Sequence, residues 1–195
     1  MSEIVKLSEL NDDQKSQTID VFIEGFYNTF KNITKDKKKI HRLLENSFDS
    51  DMTYVYLLEN DVVGFMGLAY DQKRPIKLNQ DTFIEVLGKG LGKRAHKAVS
   101  TAMEKPLTLD PEEIWIDYIA TDPAHRSMGI GKKLIEYVRD NMGYKYIGLD
   151  VLSKNPRAKA FYEREGFKVL RVKTNLLVML SGFGKQITMR MNVEG

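Results

Sequence analysis

Apolar positions recur along the chain in two periods. After a short apolar start at Ile4, Val5 and Leu7, Asn11-Asp12-Asp13 reads as a helix N-terminus, because acidic groups there complement the helix dipole. Ile19, Phe22, Phe26 and Phe30 follow at helical spacing, and Ile40, Leu43, Leu44 and Phe48 predict a second helix from about Asp36. Lys37, Lys38 and Lys39 at its start read as a solvated face. Thr53–Leu58 and Val62–Tyr70 form the arms of a hairpin, with Asn60-Asp61 as turn chemistry. Residues 71–110 predict one or two helices with a mobile stretch between them, broken by Pro75. Ile114–Thr121 is a strand stopped by Asp122-Pro123, and Gly129–Met142 is a helix with an apolar stripe at Ile130, Leu134, Ile135, Val138 and Met142. Tyr146–Leu152 is a strand, Asn155–Glu165 a short helix ended by Gly166, and Val169–Val178 and Lys185–Val193 are closing strands joined by a turn at Gly182-Phe183-Gly184.

Composition narrows the chemistry. At 195 residues, without repeats or linker-like composition, the chain fits one domain over 1–195. With 42% hydrophobic and 29% charged residues it is an ordinary globular sequence. The net charge of +3 is too small to argue for nucleic acid by itself, and no apolar run reaches membrane-spanning length. The expectation is no nucleic-acid and no membrane partner. The absence of cysteine removes disulfides, thiolate metal sites and cysteine nucleophiles, and favours a reducing, cytoplasmic setting. His41, His96 and His125 are scattered, so no metal site is expected.

The stretch ATDPAHRSMGIGKKLIEYV carries the chemistry. A strand runs into a turn holding Arg126, Gly129 and Gly131, and a helix opens at once. Glycines let backbone N–H groups approach a ligand, successive N–H groups at a helix start converge on an anion, and Arg126 adds charge and directed donors. A plain strand-to-helix turn with structural glycines reads equally well from these residues alone. Gly88-Lys89-Gly90-Leu91-Gly92-Lys93-Arg94 lacks phosphate-loop spacing and the Ser/Thr after the lysine, and reads as a flexible segment near the substrate entrance.

Residues 114–168 taken together are similar to the GCN5-related N-acetyltransferase (GNAT) family. Arg126, Gly129 and Gly131 fill its [Q/R]-x-x-G-x-[G/A] motif, and Asn155, Ala158, Phe161, Tyr162, Gly166 and Phe167 fill a second motif after the strand IGLDVL. The resemblance implies an α/β (mixed α+β) fold with a mostly antiparallel sheet splayed between two parallel strands and flanked by helices. It implies acetyl-CoA as cosubstrate, with no metal, and direct acetyl transfer to an amine of a small molecule or peptide. The pantetheine arm would lie along Ile119, Ala120 and Thr121, and the pyrophosphate on Arg126, Ser127, Met128, Gly129, Ile130, Gly131 and Lys132. Asn155 and Ala158 would complete the coenzyme site, and Tyr162 would touch the coenzyme and protonate its departing thiolate. Asp117 would be the general base or a hydrogen-bonded structural carboxylate, sharing Ile119's face unless a bulge intervenes. Asp150 reads as a substrate anchor or a solvated charge, Trp115 as a lining residue of the acceptor pocket or a core residue, His125 as a packing or phosphate-edge residue, and a homodimer is among the family's habits. Two other readings fit the same residues: a non-catalytic CoA-binding sensor or partner module, and a nucleotide-binding α/β protein using the 126–131 loop.

Overall fold

In the computed structural model of the chain, residues 1–174 and 184–193 are described. The elements are β1 (Ser2–Lys6), α1 (Asp12–Phe30), α2 (Lys37–Leu44), β2 (Thr53–Leu58), β3 (Asp61–Ala69), α3 (Gln80–Leu87), α4 (Lys89–Met103), β4 (Glu113–Thr121), α5 (Ile130–Asn141), β5 (Tyr146–Leu152), α6 (Pro156–Arg164), β6 (Lys168–Lys173) and β7 (Gln186–Asn192). The strands form one sheet in the order β1-β2-β3-β4-β5-β7-β6, in which β4 and β5 are parallel and every other neighbouring pair is antiparallel.

Local chemistry sets the helix starts. Asn11 Oδ1 accepts from the Gln14 N–H while the Gln14 side chain accepts from the Asn11 N–H, a reciprocal cap that satisfies two otherwise unpaired donors. Asp36, Asn79 and Asn155 cap α2, α3 and α6 one way, each side-chain oxygen accepting from backbone N–H groups of the first turn. Phe26 departs from helical geometry (φ −119°, ψ 15°), so the Phe22–Phe30 stripe runs through a kink.

The sheet divides two apolar layers. On one face Phe22, Phe30, Leu43, Phe65, Phe83 and Tyr118 pack under α1–α4; on the other Met66, Ile116, Leu134, Leu149, Tyr162 and Phe167 pack under α5 and α6. Fully burying side chains of this size contributes roughly 1.5–3 kcal/mol each relative to exposure. The six- and nine-residue strands β2 and β3 are therefore almost wholly buried, as the residues between two helix layers must be.

Several boundaries depart from the sequence expectation. The β2–β3 turn is Glu59-Asn60, both with positive φ (52° and 76°), and Asp61 already pairs with Leu58. Two consecutive positive φ values match the right-handed twist of the hairpin. The 71–110 region holds two helices with Gly88 alone between them, so the stretch expected to be mobile is a helix–helix joint. The Gly88–Arg94 run thus starts a helix and is not a flexible entrance segment. Its physical reason is Gly92: a Cβ there would stand 2.3 Å from the Phe83 carbonyl oxygen, so glycine lets α4 close onto α3. The first closing strand is Lys168–Lys173, and the expected continuation to Val178 and the Gly182-Phe183 part of the turn lie outside the described residues. No helix among the described residues is long and apolar enough to cross a membrane.

Candidate active site

β4 and β5 begin as a regular parallel pair. Glu113 through Ile116 pair with Tyr146 through Leu149, and the pairing ends there. Beyond it, Asp117–Thr121 face β5 across a gap. Strand N–H and C=O groups left open in this way are costly unless water or a ligand meets them. On its other side β4 pairs with β3 as far as Thr121.

A bulge marks the point of divergence. Gly67 pairs with Tyr118 and Leu68 with Ile116, so Asp117 is the extra residue. The consequence corrects the expected facing. Tyr118 and Ala120 join the layer under α1–α4, whereas Ile116 and Ile119 pack on the α5–α6 side. Asp117 does not share Ile119's face: its carboxylate accepts two hydrogen bonds from Arg74, from Nε at 2.7 Å and Nη2 at 2.5 Å. Arg74 also donates through Nη1 to the Lys105 carbonyl at 2.6 Å. Both side chains are largely buried. Burial raises the Asp117 pKa, and the Arg74 hydrogen bonds work against that rise. Beside them, Tyr118 lies across Gly67, where a Cβ would meet the ring at 2.1 Å, and its hydroxyl donates to the Pro75 carbonyl at 3.0 Å. Arg74 and Pro75 are thereby pinned to β4. Sequence reading missed Arg74, because nothing near it in the chain signals a partner 43 residues away.

Strand alternation places Asp150 on the face opposite Ile147, Leu149 and Val151, which belong to the α5–α6 layer. Its side chain is exposed at the mouth of the gap and accepts from Thr188 Oγ1 at 2.7 Å and from the Gln186 amide. Trp115 is 6% exposed and packs over Gly148, where a Cβ would meet its ring at 2.4 Å. It is a packed residue of the paired end of the strands.

The turn after β4 is held by Asp122, whose carboxylate accepts from the Ala124 N–H at 3.1 Å and meets His125 Nδ1 at 2.6 Å. His125 is thus a turn-locking residue. Arg126, Ser127, Met128 and Gly129 are exposed beyond it. Ser127 (φ 68°) and Gly129 (φ 77°) both adopt left-handed backbone, and Gly129 is the residue immediately before α5. Nothing lies within 4 Å of where a Gly129 Cβ would sit. Gly131 and Ile130 face inward: a Cβ on Gly131 would stand 3.2 Å from the Phe161 ring, and Ile130 packs at 3% exposure over Gly64. Lys132 projects from α5 towards Glu136.

On the α6 side, Asn155 Oδ1 accepts from the Ala158 N–H at 3.1 Å, so this residue serves the neighbouring backbone. Tyr162 is packed between Phe161 and Phe167 with ring centroids 5.2 and 5.7 Å away. Desolvation pushes its phenol up to about 12. The Tyr162 hydroxyl makes no hydrogen bond among the described residues. Two surface clefts of about 490 and 520 Å³ lie away from the gap, one beside Arg139 and Val193 and one between α1 and α2. The gap itself is an open slot.

The model of the acetyltransferase (GNAT) family matches residues 17–167. The chain belongs to the GNAT family. A 59-residue stretch is 36% identical to the 5-NmdU N-acetyltransferase of Pseudomonas phage PaMx11, covering 30% of this chain and 41% of that protein. This chain therefore matches well under half the length of that relative. The fold is similar to that of histone acetyltransferase HPA2 and related acetyltransferase from Corynebacterium glutamicum (TM-score 0.63, 17% identity, 98% of this chain and 96% of that one). It is also similar to PH1933 from Pyrococcus horikoshii OT3 (TM-score 0.58, 19% identity, 98% of each chain). At these identities the two structures speak for the fold.

Proposed function

We propose that the protein transfers an acetyl group from acetyl-CoA directly to an amine brought to the mouth of the β4–β5 gap. The observation that carries this reading is the end of strand pairing after Ile116 and Leu149, which leaves backbone groups of Ile119 and Thr121 open beside the exposed Arg126–Gly129 turn. The residues fit the coenzyme. An extended pantetheine arm satisfies the open strand as a surrogate neighbour. The α5 N-terminus and Arg126 suit a diphosphate. The bare space at Gly129 leaves room for its close approach.

Bound acetyl-CoA supplies a thioester whose sulfur leaves as a thiolate of ordinary pKa about 8.5. Tyr162 holds its proton at neutral pH and delivers it to that sulfur from the α6 side of the sheet. A backbone N–H at Ile119 faces the developing oxyanion. The acceptor attacks as the neutral amine, its ammonium proton having passed to water at the exposed mouth of the gap. Asp150, on the opposite face, holds its N–H groups through lone pairs not taken by Thr188 and Gln186. The second proton the nitrogen loses as the C–N bond forms balances the one Tyr162 gives to the sulfur. Asp117 is committed to Arg74 on both oxygens, so we assign it to positioning the bulge and not to proton abstraction. The acceptor is an amine of low molecular mass or on a polymer; the name of the phage relative makes a 5-NmdU-type amine one to include among the candidates tested.

Tyr162→Phe tests the reading. It is expected to lower kcat by roughly 10²–10⁴ with a panel of amines while CoA affinity and thermal stability stay close to wild type. Unchanged turnover removes Tyr162 as the acid, and CoA binding with no release of CoA from any amine overturns transfer itself. The pH dependence follows from the sign of the shift. A phenol raised from about 10 to about 12 stays protonated through pH 10, so kcat should show no descending limb near 10. A Tyr162-dependent fall centred at 10 contradicts the buried-acid role.

A further inference from the structure

The overall charge of +3 conceals a local separation. Helix α4 carries Lys89, Lys93, Arg94 and Lys97 and has no Asp or Glu along its 15 residues. Gly92, Ala95 and Val99 bury its inner face against α3. All four cations are exposed on the opposite face, and their side chains make no ion pair or hydrogen bond among the described residues. Lys89 also stands in the first turn, where the helix dipole is already positive and an acidic residue would be favoured. The nearby carboxylates do not pair with them: Glu85 pairs with Arg42, Glu104 accepts from the Leu78 N–H, and Asp81, in the first turn of α3, forms no ion pair among the described residues.

Packing does not explain the rest of this face either. Gly90 is exposed and nothing lies within 4 Å of where its Cβ would be, in contrast to Gly92 two residues on. Lys89, Lys93 and Lys97 recur every four residues, about 6 Å apart along the axis. Gly90 and Ala98 keep the surface between them low. A periodic row of cations on a flat surface complements a periodic row of phosphates. A membrane surface would call for apolar side chains to sink, and Leu91 at 50% exposure is the single large apolar residue of this helix left open.

We propose that the outer face of α4 binds the phosphodiester backbone of a nucleic acid. The surface lies on the 71–110 segment that Arg74 and Tyr118 pin to the catalytic strand, which would bring a bound polymer to the acceptor side of the sheet. This surface would bind the polymer whether or not the gap transfers acetyl groups.

The test is fluorescence anisotropy of the full chain, without acetyl-CoA, against fluorescein-labelled 20-residue duplex DNA, single-stranded DNA and RNA over a salt series. Binding to at least one is expected, with log Kd against log salt reporting roughly 0.9 per phosphate contact. The triple variant Lys89→Gln, Lys93→Gln, Lys97→Gln should bind roughly tenfold or more weakly and lose about three contacts from the slope. Its melting temperature, its CoA affinity and its CoA release with a small amine should match wild type, since these exposed side chains lie outside the gap. No binding to any of the three at about 50 mM salt overturns the proposal, as does an unchanged slope in the variant. Equal, variant-sensitive binding to polyglutamate or to phosphatidylserine vesicles overturns it in favour of a general anion surface.

Discussion

Two stretches of this chain look alike as strings. RSMGIGKK at 126–133 and GKGLGKR at 88–94 both interleave glycine with basic residues. In the first, the glycine before the helix is left-handed with empty space around it, and the three residues before it are exposed beside an open strand edge. In the second, Gly88 is a joint between two helices, and Gly92 is buried beneath α3. A glycine between basic residues therefore carries no chemistry of its own. What stands next to it decides: unpaired strand groups leave the first open as the coenzyme cradle we propose, and a second helix makes the other a packing contact.

Four substitutions break or sharpen that contrast. The largest effect belongs to Arg74→Ala, which frees the region carrying the second stretch and leaves the Asp117 carboxylate buried without its partner. Such losses run to about 3–5 kcal/mol, to be read by urea unfolding. A change under about 1 kcal/mol would mean that the pair does not hold the insertion in place. Gly92→Val comes next, at about 1–3 kcal/mol of stability with CoA affinity unchanged, because its Cβ meets backbone that cannot easily yield. Weakened CoA binding in a folded Gly92→Val protein would erase the distinction between the two stretches. Gly129→Val should lose about 1–2 kcal/mol for the left-handed backbone and, unlike Gly92→Val, should also weaken CoA binding in calorimetric titration. Unchanged affinity there would remove the cradle. The smallest effect is Gly90→Ala. A methyl group fits the open space, so a gain of up to about 1 kcal/mol is expected in thermal unfolding, without effect on CoA affinity.

The same contrast explains what could be read in advance. The helices at Asp12–Phe30 and Lys37–Leu44 announce themselves through caps and apolar spacing, which act within four residues. The two motifs at 126–131 and 155–167 are contiguous and tied to a strand–helix alternation, so the fold is legible, and with it the place of the proposed coenzyme site. The acceptor side is not. Arg74 meets Asp117 across 43 residues, Tyr118 reaches Pro75 over the same separation, and Asp150 is held by Thr188 from a strand 38 residues later. None of these pairs leaves a local pattern.

What the sequence determined by itself is the set of interactions short enough to be written as spacing: helix periods, caps, the hairpin arms and the glycine-rich turn that opens α5. The tertiary structure alone decided the bulge at Asp117, and with it which face each later residue of β4 presents. One inserted residue in a ladder of period two reverses the facing of its strand neighbours, and that insertion is defined only against the partner strand, here Gly67 and Leu68.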